Sequence, residues 1–125
     1  MSHDELSINI TTSHEGETVV FKLTGSLDLA TSPSVRAALL EETGEGKKHD
    51  VVVDLTGLEF LDSTGLGALI GAQRRALEHN AEVRLVVADG PIARLLNITG
   101  LVRVFGVYPS LEAALAGRDK IVAPL

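Results

Sequence analysis

The sequence predicts a single-domain α/β protein in which a layered mixed sheet, an N-terminal hairpin followed by parallel strands, packs against about four helices. The chain has 125 residues, of which 45% are hydrophobic and 22% charged, and this suits one domain with its own core. Two runs near the start alternate apolar and polar residues, which indicates a hairpin. Short β-branched runs then alternate with helical segments, an order that favours parallel strands covered by helices. Residues 1–125 are therefore expected to form one domain, with its core between about residues 6 and 117.

The hairpin is predicted from "LSINITT" and "TVVFKLTG". Ile8 and Ile10 alternate with polar residues in the first run, which begins at Leu6, and Phe21 continues the same period in the second. The "SHEGE" between them is typical of a turn. Gly25 is expected to end the second strand.

The first helix is predicted to start at "SP" and to run to about Glu42. Ser32 offers a cap, Pro33 suits the first helical position, and the glycines of "TGEG" suit the end. Its buried positions are expected to be Val35, Ala38 and Leu39.

The central pair is "DVVVDL", a strand at 50–55, followed by a helix of about four turns in "STGLGALIGAQRRALEHN". The inward stripe of that helix is predicted to be Leu66, Leu69, Ile70, Gln73, Ala76 and Leu77. Gln73 is the polar member and is expected at the edge of the stripe.

The remaining elements repeat the pattern. "EVRLVVA" and "RVFGVY" predict strands, and "PIARLLN" and "PSLEAALAG" predict helices, the first begun by Pro91 and the second closed by Gly117. The tail "RDKIVAPL" carries no clear signal.

Reactive-looking groups stand at the start of the central helix. Asp62, Ser63 and Thr64 occupy the point where the free N–H groups of a first turn need acceptors. Either Asp62 or Ser63 could be the cap.

Three glycines follow within this helix, although glycine costs about 1 kcal/mol relative to alanine there. Gly67 and Gly71 share a face and would let another backbone approach, while Gly65 would leave the first turn unshielded. This pattern favours a platform on which a partner protein, or an enzyme, reaches the Ser63 hydroxyl.

A hydrolase is disfavoured, since a serine nucleophile needs a nearby base. His79 would lie about 24 Å from Ser63 along the helix. His49 is expected at the opposite edge of the sheet, His3 in a tail and His14 in the hairpin turn. The G-x-S-x-G elbow is absent from this segment, so we expect no enzymatic activity.

Asp54 ends a β-branched strand, as the phosphate acceptor of a receiver domain would. That chemistry needs further acidic residues for magnesium, and "INITTS" and "FKLTGS" end without an acidic pair. Asp54 is interpreted as an acceptor that organises the loop at 55–62, on the same edge as Ser63. No metal or cofactor is predicted.

Composition disfavours two other classes. The net charge of −6 and the aromatic content of 3% do not suit direct binding of nucleic acid. No apolar stretch approaches the ~18 residues that a membrane span requires. There is no cysteine and no visible secretory signal, so a cytoplasmic location is expected.

The chain resembles the STAS domain family, and within it the stand-alone bacterial anti-sigma factor antagonists. The resemblance extends over about 6–117 and is carried by "LEFLDSTGLGALIGA" (58–72), "LTGSLDLATSP" (23–33) and "ADGPIARLLNITGL" (88–101). It implies that an anti-sigma factor, itself an ATP-dependent serine kinase, phosphorylates Ser63, with Thr64 as the second choice. The family's G-E/S-L-D loop maps onto residues 25–28, with Ser26 in place of the more usual Glu.

The implied mechanism is a partner switch. The unmodified protein binds the kinase and releases a sigma factor, phosphorylation ends the binding, and a phosphatase reverses it. The implied partner-binding residues are Asp28, Asp62, Ser63, Thr64, Gly65, Leu66 and Gly67. The alternative function is a scaffold subunit of a transport or signalling assembly, without a sigma factor.

Overall fold

The computed structural model describes residues 7–121. Leu6, His3 and residues 122–125 of the tail therefore lie outside the described residues. The elements are β1 (Ile8–Glu15), β2 (Thr18–Leu27), α1 (Ser32–Glu42), β3 (Val51–Leu61), α2 (Ser63–Leu77), β4 (Val83–Val86), α3 (Pro91–Ile98), a 3₁₀ turn (Leu101–Arg103), β5 (Gly106–Tyr108) and α4 (Leu111–Ala116).

The sheet follows the order β1-β2-β3-β4-β5, with β1 antiparallel to β2 and the other neighbours parallel. This confirms the predicted mixed sheet. The hairpin is longer than "SHEGE" suggested, because β1 continues to Glu15 and His14 pairs with Val19. Only the tip around Gly16, where φ is 64°, makes the turn.

Strands β2 and β3 extend well beyond the rest of the sheet. β4 ends where Val86 pairs with Asp54, whereas β2 and β3 stay paired until Leu27 meets Leu61. The expected loop at 55–62 is therefore mostly strand. Gly25 does not end β2: it adopts φ 106° beside a shift in register, and a Cβ there would lie 2.6 Å from the carbonyl oxygen of Ser7. Glycine lets the strand bend and continue.

The core has two parts, one on each face of the sheet. The larger packs α1, α2 and α3 against alternate sheet residues such as Phe21, Val53 and Leu85. The smaller packs α4 against residues of opposite parity, including Val52 and Tyr108. Helices thus cover both faces, as a layered α/β fold requires.

Helix α1 ends at Glu42 as predicted but begins differently. Its N-cap position is Thr31, and Ser32 is already the first helical residue. Val35 and Leu39 are buried, whereas Ala38 is only partly buried.

Helix α2 corrects two expectations about its inward stripe. Leu77 is 56% exposed, so the stripe ends at Ala76. Gln73 is only 3% exposed instead of lying at the edge. It can be buried because its amide donates to the Val104 carbonyl at 2.9 Å and accepts from the Val83 N–H at 2.7 Å.

The C-terminal helix forms as predicted. The Ser110 hydroxyl accepts from the Ala113 N–H, and Gly117 closes α4 in the left-handed region with φ 67°. Beyond it, the Ile121 N–H donates to the Val107 carbonyl at 2.7 Å. None of the helices within residues 7–121 is long and apolar enough to span a membrane.

Candidate functional site

The predicted site lies at the tip of the β2–β3 extension. The Asp62 N–H donates to the Leu27 carbonyl at 3.2 Å, directly after the last paired residues of the two strands. Asp28 follows Leu27 in the chain and Ser63 follows Asp62, so the extension brings these two predicted residues to the same end of the sheet.

Asp62 is the N-cap of α2, which settles the choice between Asp62 and Ser63. Its Oδ1 accepts from the N–H groups of Thr64 and Gly65, both at 3.0 Å, and from the Thr64 hydroxyl at 2.6 Å. The Thr64 hydroxyl contributes most to lowering the pKa of Asp62, followed by the Gly65 amide; the amides of Thr64 and Leu29 act in the same direction. A carboxylate stabilised in this way is a poor proton acceptor.

The two hydroxyls of the motif have different surroundings. Ser63 is exposed, and none of the hydrogen bonds found among residues 7–121 engages its hydroxyl. Thr64 is half-buried, and its hydroxyl donates a hydrogen bond to Asp62. Of the two, Ser63 therefore offers the unengaged nucleophilic oxygen.

Asp28 organises the turn that leads from β2 into α1. Its Oδ1 accepts from the N–H groups of Ala30 and Thr31 at 3.0 and 3.1 Å. The Thr31 hydroxyl donates to the Ser26 carbonyl and accepts from the Asp28 N–H. The sequence interpretation missed Thr31, although an Asp followed by a Thr three residues later before Ser-Pro is a turn signal.

The glycines of α2 divide into two kinds. Gly65 is buried, and a Cβ there would lie 2.7 Å from Leu27 Cγ and 2.9 Å from its carbonyl oxygen. The expectation that Gly65 leaves the first turn unshielded is wrong: it lets β2 pack against the helix. Gly67 and Gly71 face open space, because a Cβ added at either position would meet no heavy atom within 4 Å.

The remaining predicted residue, Leu66, is partly buried against the main core. A groove of about 460 Å³ runs along the boundary between α1 and α2 and reaches Thr64 and Gly67. Leu29, which is 73% exposed, lines the groove and was not identified from the sequence. A leucine next to the predicted site residue Asp28 is the signal that could have drawn attention to it.

Asp54 does not belong to this site. It is buried and accepts from the Thr56 N–H and hydroxyl at 2.9 and 2.7 Å, so it organises the local chain as expected. It was wrongly assigned to the Ser63 edge, because β3 continues from Asp54 to Leu61 over about 23 Å.

The described histidines lie far from Ser63. His14 pairs with Val19 at the beginning of β2, about 26 Å of strand from the site. His49 contacts Glu42 at 3.1 Å near the end of α1, and His79 follows the far end of α2. None of these side chains can act as a base on Ser63. Residues 7–121 hold no group of three or more metal-ligating side chains.

The chain is similar to known proteins in both sequence and fold. The model of the STAS domain family matches residues 9–114. The anti-sigma F factor antagonist of Paenibacillus polymyxa is 28% identical over 110 residues, which cover 88% of this chain and 94% of the relative. The anti-sigma-B factor antagonist of Staphylococcus epidermidis is 32% identical over 107 residues, which cover 86% and 98%.

A solved structure also matches the fold closely. The crystal structure of an anti-sigma factor antagonist from Mycobacterium paratuberculosis superimposes with a TM-score of 0.79 at 25% identity. The match covers 88% of this chain and 92% of that one.

Proposed function

Because this chain belongs to the STAS domain family, we propose that it is an anti-sigma factor antagonist, which binds an anti-sigma factor and thereby releases a sigma factor. The names of its relatives, at 28% and 32% identity over most of the chain, support this function. The surface we assign to the partner is the tip of the β2–β3 extension with the first turn of α2.

We further propose that phosphorylation of Ser63 switches the binding off. The observation that carries this proposal is the contrast between the exposed, unengaged Ser63 hydroxyl and the Thr64 hydroxyl held by Asp62. The anti-sigma factor would supply ATP: the Ser63 oxygen attacks the γ-phosphorus, the bond to the β-phosphate breaks and ADP leaves. The hydroxyl proton passes to a base of the partner, since the pKa of Asp62 is lowered.

The phosphate would act at the interface and leave the fold intact. It adds about −1.5 to −2 charges at the end of the sheet that also carries Asp62 and Asp28. A like-charge contact across an interface costs several kcal/mol, and about 3 kcal/mol already lowers affinity by roughly a hundredfold. The pairing of β2 with β3 and the cap of α2 do not use the Ser63 hydroxyl, so both survive its modification.

The proposal has consequences for partners and location. The kinase activity and its ATP belong to the anti-sigma factor, so this chain needs no catalytic residue or cofactor of its own. A serine phosphatase is required to remove the phosphate and restore binding. A switch that governs sigma factors and consumes ATP operates in the cytoplasm.

Mass spectrometry tests the modified residue. After incubation with ATP and the purified anti-sigma factor of the same organism, we expect a mass increase of one phosphate that maps to Ser63. The Ser63→Ala variant should gain none. Ser34→Ala, which removes another exposed serine at α1, is the matched control and should still be modified. A phosphate found on Thr64 instead contradicts the assignment to Ser63, and no modification at all, as a scaffold subunit would show, contradicts the switch.

Calorimetric titration with the same anti-sigma factor tests the binding. Ser63→Asp places a carboxylate at the site, and we expect its affinity to fall at least tenfold. Ser63→Ala should bind like the unmodified protein and should keep binding in the presence of ATP. Equal affinity of both variants, before and after ATP, would overturn the proposal.

A further inference from the structure

A continuous groove follows the boundary between α1 and α2 away from Ser63. It consists of two cavities, of about 460 and 250 Å³, that share Arg36 and Leu40 among their lining residues. Thr64 lines the near end and Arg74 the far end. Helix α2 advances about 15 Å between Thr64 and Arg74, so the groove is long enough for nearly three turns of a helix.

Two glycines of α2 leave backbone open on the floor of this groove. Gly67 lines the first cavity and Gly71 the second, and a Cβ at either position would meet no heavy atom within 4 Å. Glycine weakens a helix interior relative to alanine, and here no internal contact requires it, in contrast to Gly65. Two glycines one turn apart allow the backbone or side chains of another molecule to approach α2 closely.

The walls of the groove are apolar and exposed. Leu29 is 73% and Leu40 is 40% exposed, and Pro33 and Ala37 lie on the same side along α1. Exposed leucines beside a concave surface are typical of a protein interaction site. Along α1, Pro33, Ala37 and Leu40 follow one another at intervals of four and three residues, a spacing that suits the ridge of a partner helix.

The charge of the groove opposes that of the chain. Arg36, Arg74 and Arg75 line it, against the single acidic residue Glu78, although the net charge of the whole chain is −6. Arg75 already donates to the Thr43 carbonyl. No ion pair found within residues 7–121 uses Arg36 or Arg74. The occupant is therefore expected to carry carboxylates.

We propose that this groove binds an amphipathic helix of the anti-sigma factor, whose apolar side contacts Leu29 and Leu40 and whose acidic side chains pair with Arg36 and Arg74. This inference rests on the proposed function and names how the partner is held. It also connects the groove to the switch. Ser63 stands at the near end, so a phosphate there repels the acidic helix that the arginines attract.

Filling the floor tests the groove without weakening the fold. Gly71→Leu replaces a glycine that faces open space, so the melting temperature of this variant should equal or exceed that of the unmodified protein. Its affinity for the anti-sigma factor of the Ser63 experiments should fall at least tenfold. Gly67→Ala is a milder second variant, for which we expect a higher melting temperature and weaker binding. Ala116→Leu, which places the same side chain at an exposed position on α4, is the matched control and should bind normally.

Reversing the charge tests the nature of the occupant. Arg36→Glu combined with Arg74→Glu should lower the affinity at least tenfold and reduce its dependence on salt. Arg118→Glu changes an exposed arginine beyond α4 and should leave both the affinity and its salt dependence unchanged. A photo-crosslinker placed at Leu40 should capture a helical, acidic segment of the anti-sigma factor.

The outcomes separate this inference from the proposed function. If the groove variants bind within twofold of the unmodified protein while Ser63→Asp loses binding, the function stands and the groove inference is wrong. Capture of a basic or non-helical segment also overturns it. If Ser63→Asp binds normally, the proposed switch itself fails.

Discussion

At the scale of single residues, Asp62 caps α2 and engages the Thr64 hydroxyl, while the exposed Ser63 hydroxyl takes no part in these hydrogen bonds. One carboxylate oxygen accepts three hydrogen bonds from the first turn of α2. Because one of them comes from the Thr64 hydroxyl, the side chain that caps the helix also engages the competing hydroxyl. The sequence indicated an acid and two hydroxyls at a helix start but could not assign the cap, since either Asp62 or Ser63 could accept from the free N–H groups.

The capping role predicts the stability of Asp62 variants. Asp62→Ala removes the acceptor and should lower the melting temperature by roughly 4 °C. Asp62→Asn keeps an oxygen in the same place but lacks the carboxylate charge, so its melting temperature at neutral pH should lie between those of Asp62→Ala and the unmodified protein. Thermal unfolding followed by circular dichroism measures both. Similar losses of melting temperature in Asp62→Ala and Asp62→Asn would show that the charge of Asp62, and not its oxygen as an acceptor, stabilises the helix.

The pKa of Asp62 gives these variants a pH dependence. Its pKa is lowered in the folded state from the ordinary value of 3.8, so its stabilising contribution is fully present above 3.8. We expect that contribution to disappear as the pH falls below 3.8 and through the lower native pKa. The melting temperature of the unmodified protein should therefore fall more steeply in this range than that of Asp62→Asn. Parallel curves would contradict the assigned pKa shift.

At the scale of elements, the β2–β3 extension positions the site, and it is the element that sequence reasoning predicted least well. "DVVVDL" was recognised as a buried strand because its apolar run is continuous. The run breaks at Thr56 and Gly57, so the continuation to Leu61 depends on pairing with β2, which no local pattern reveals. The prediction that Gly25 ends β2 was wrong for the same reason, since a glycine at a bulge and a glycine at a strand end look alike in a single sequence.

The packing of α2 on this extension predicts opposite effects for two neighbouring glycines. Gly65→Ala forces a methyl group against Leu27, whose carbonyl is already held by the Asp62 N–H, and should lower the free energy of unfolding by about 1–3 kcal/mol. Gly67→Ala, in the same helix, meets open space and should raise it by up to about 1 kcal/mol. Urea unfolding measures both, and equal effects of the two substitutions would refute the assignment of Gly65 to internal packing.

At the scale of the whole molecule, the predicted order of strands and helices is confirmed, because alternation of buried strands with amphipathic helices leaves few topologies. The sequence did not show which residues of each strand face which helix layer. Tyr108 illustrates this: it lies in the smaller cluster under α4, on the face opposite α1 and α2.

Tyr108 also makes the cooperativity of the fold measurable. It is the only tyrosine, and the chain has no tryptophan, so its fluorescence reports the α4 face alone. Both clusters share one sheet, and a domain of this size is expected to unfold in one step. The urea transitions by fluorescence and by circular dichroism should coincide. An earlier fluorescence transition would show that α4 unfolds as a separate unit.

The hairpin tip at Gly16 and the loop at Gly46 lie at the end of the sheet opposite Ser63. Both glycines adopt positive φ, and neither has a heavy atom near its Cβ position. Surface turns of this kind tolerate inserted sequence. A fluorescent reporter or an immobilisation tag placed at Gly46 would therefore leave the Ser63 end unobstructed, which suits the protein to use as a sensor of its own modification.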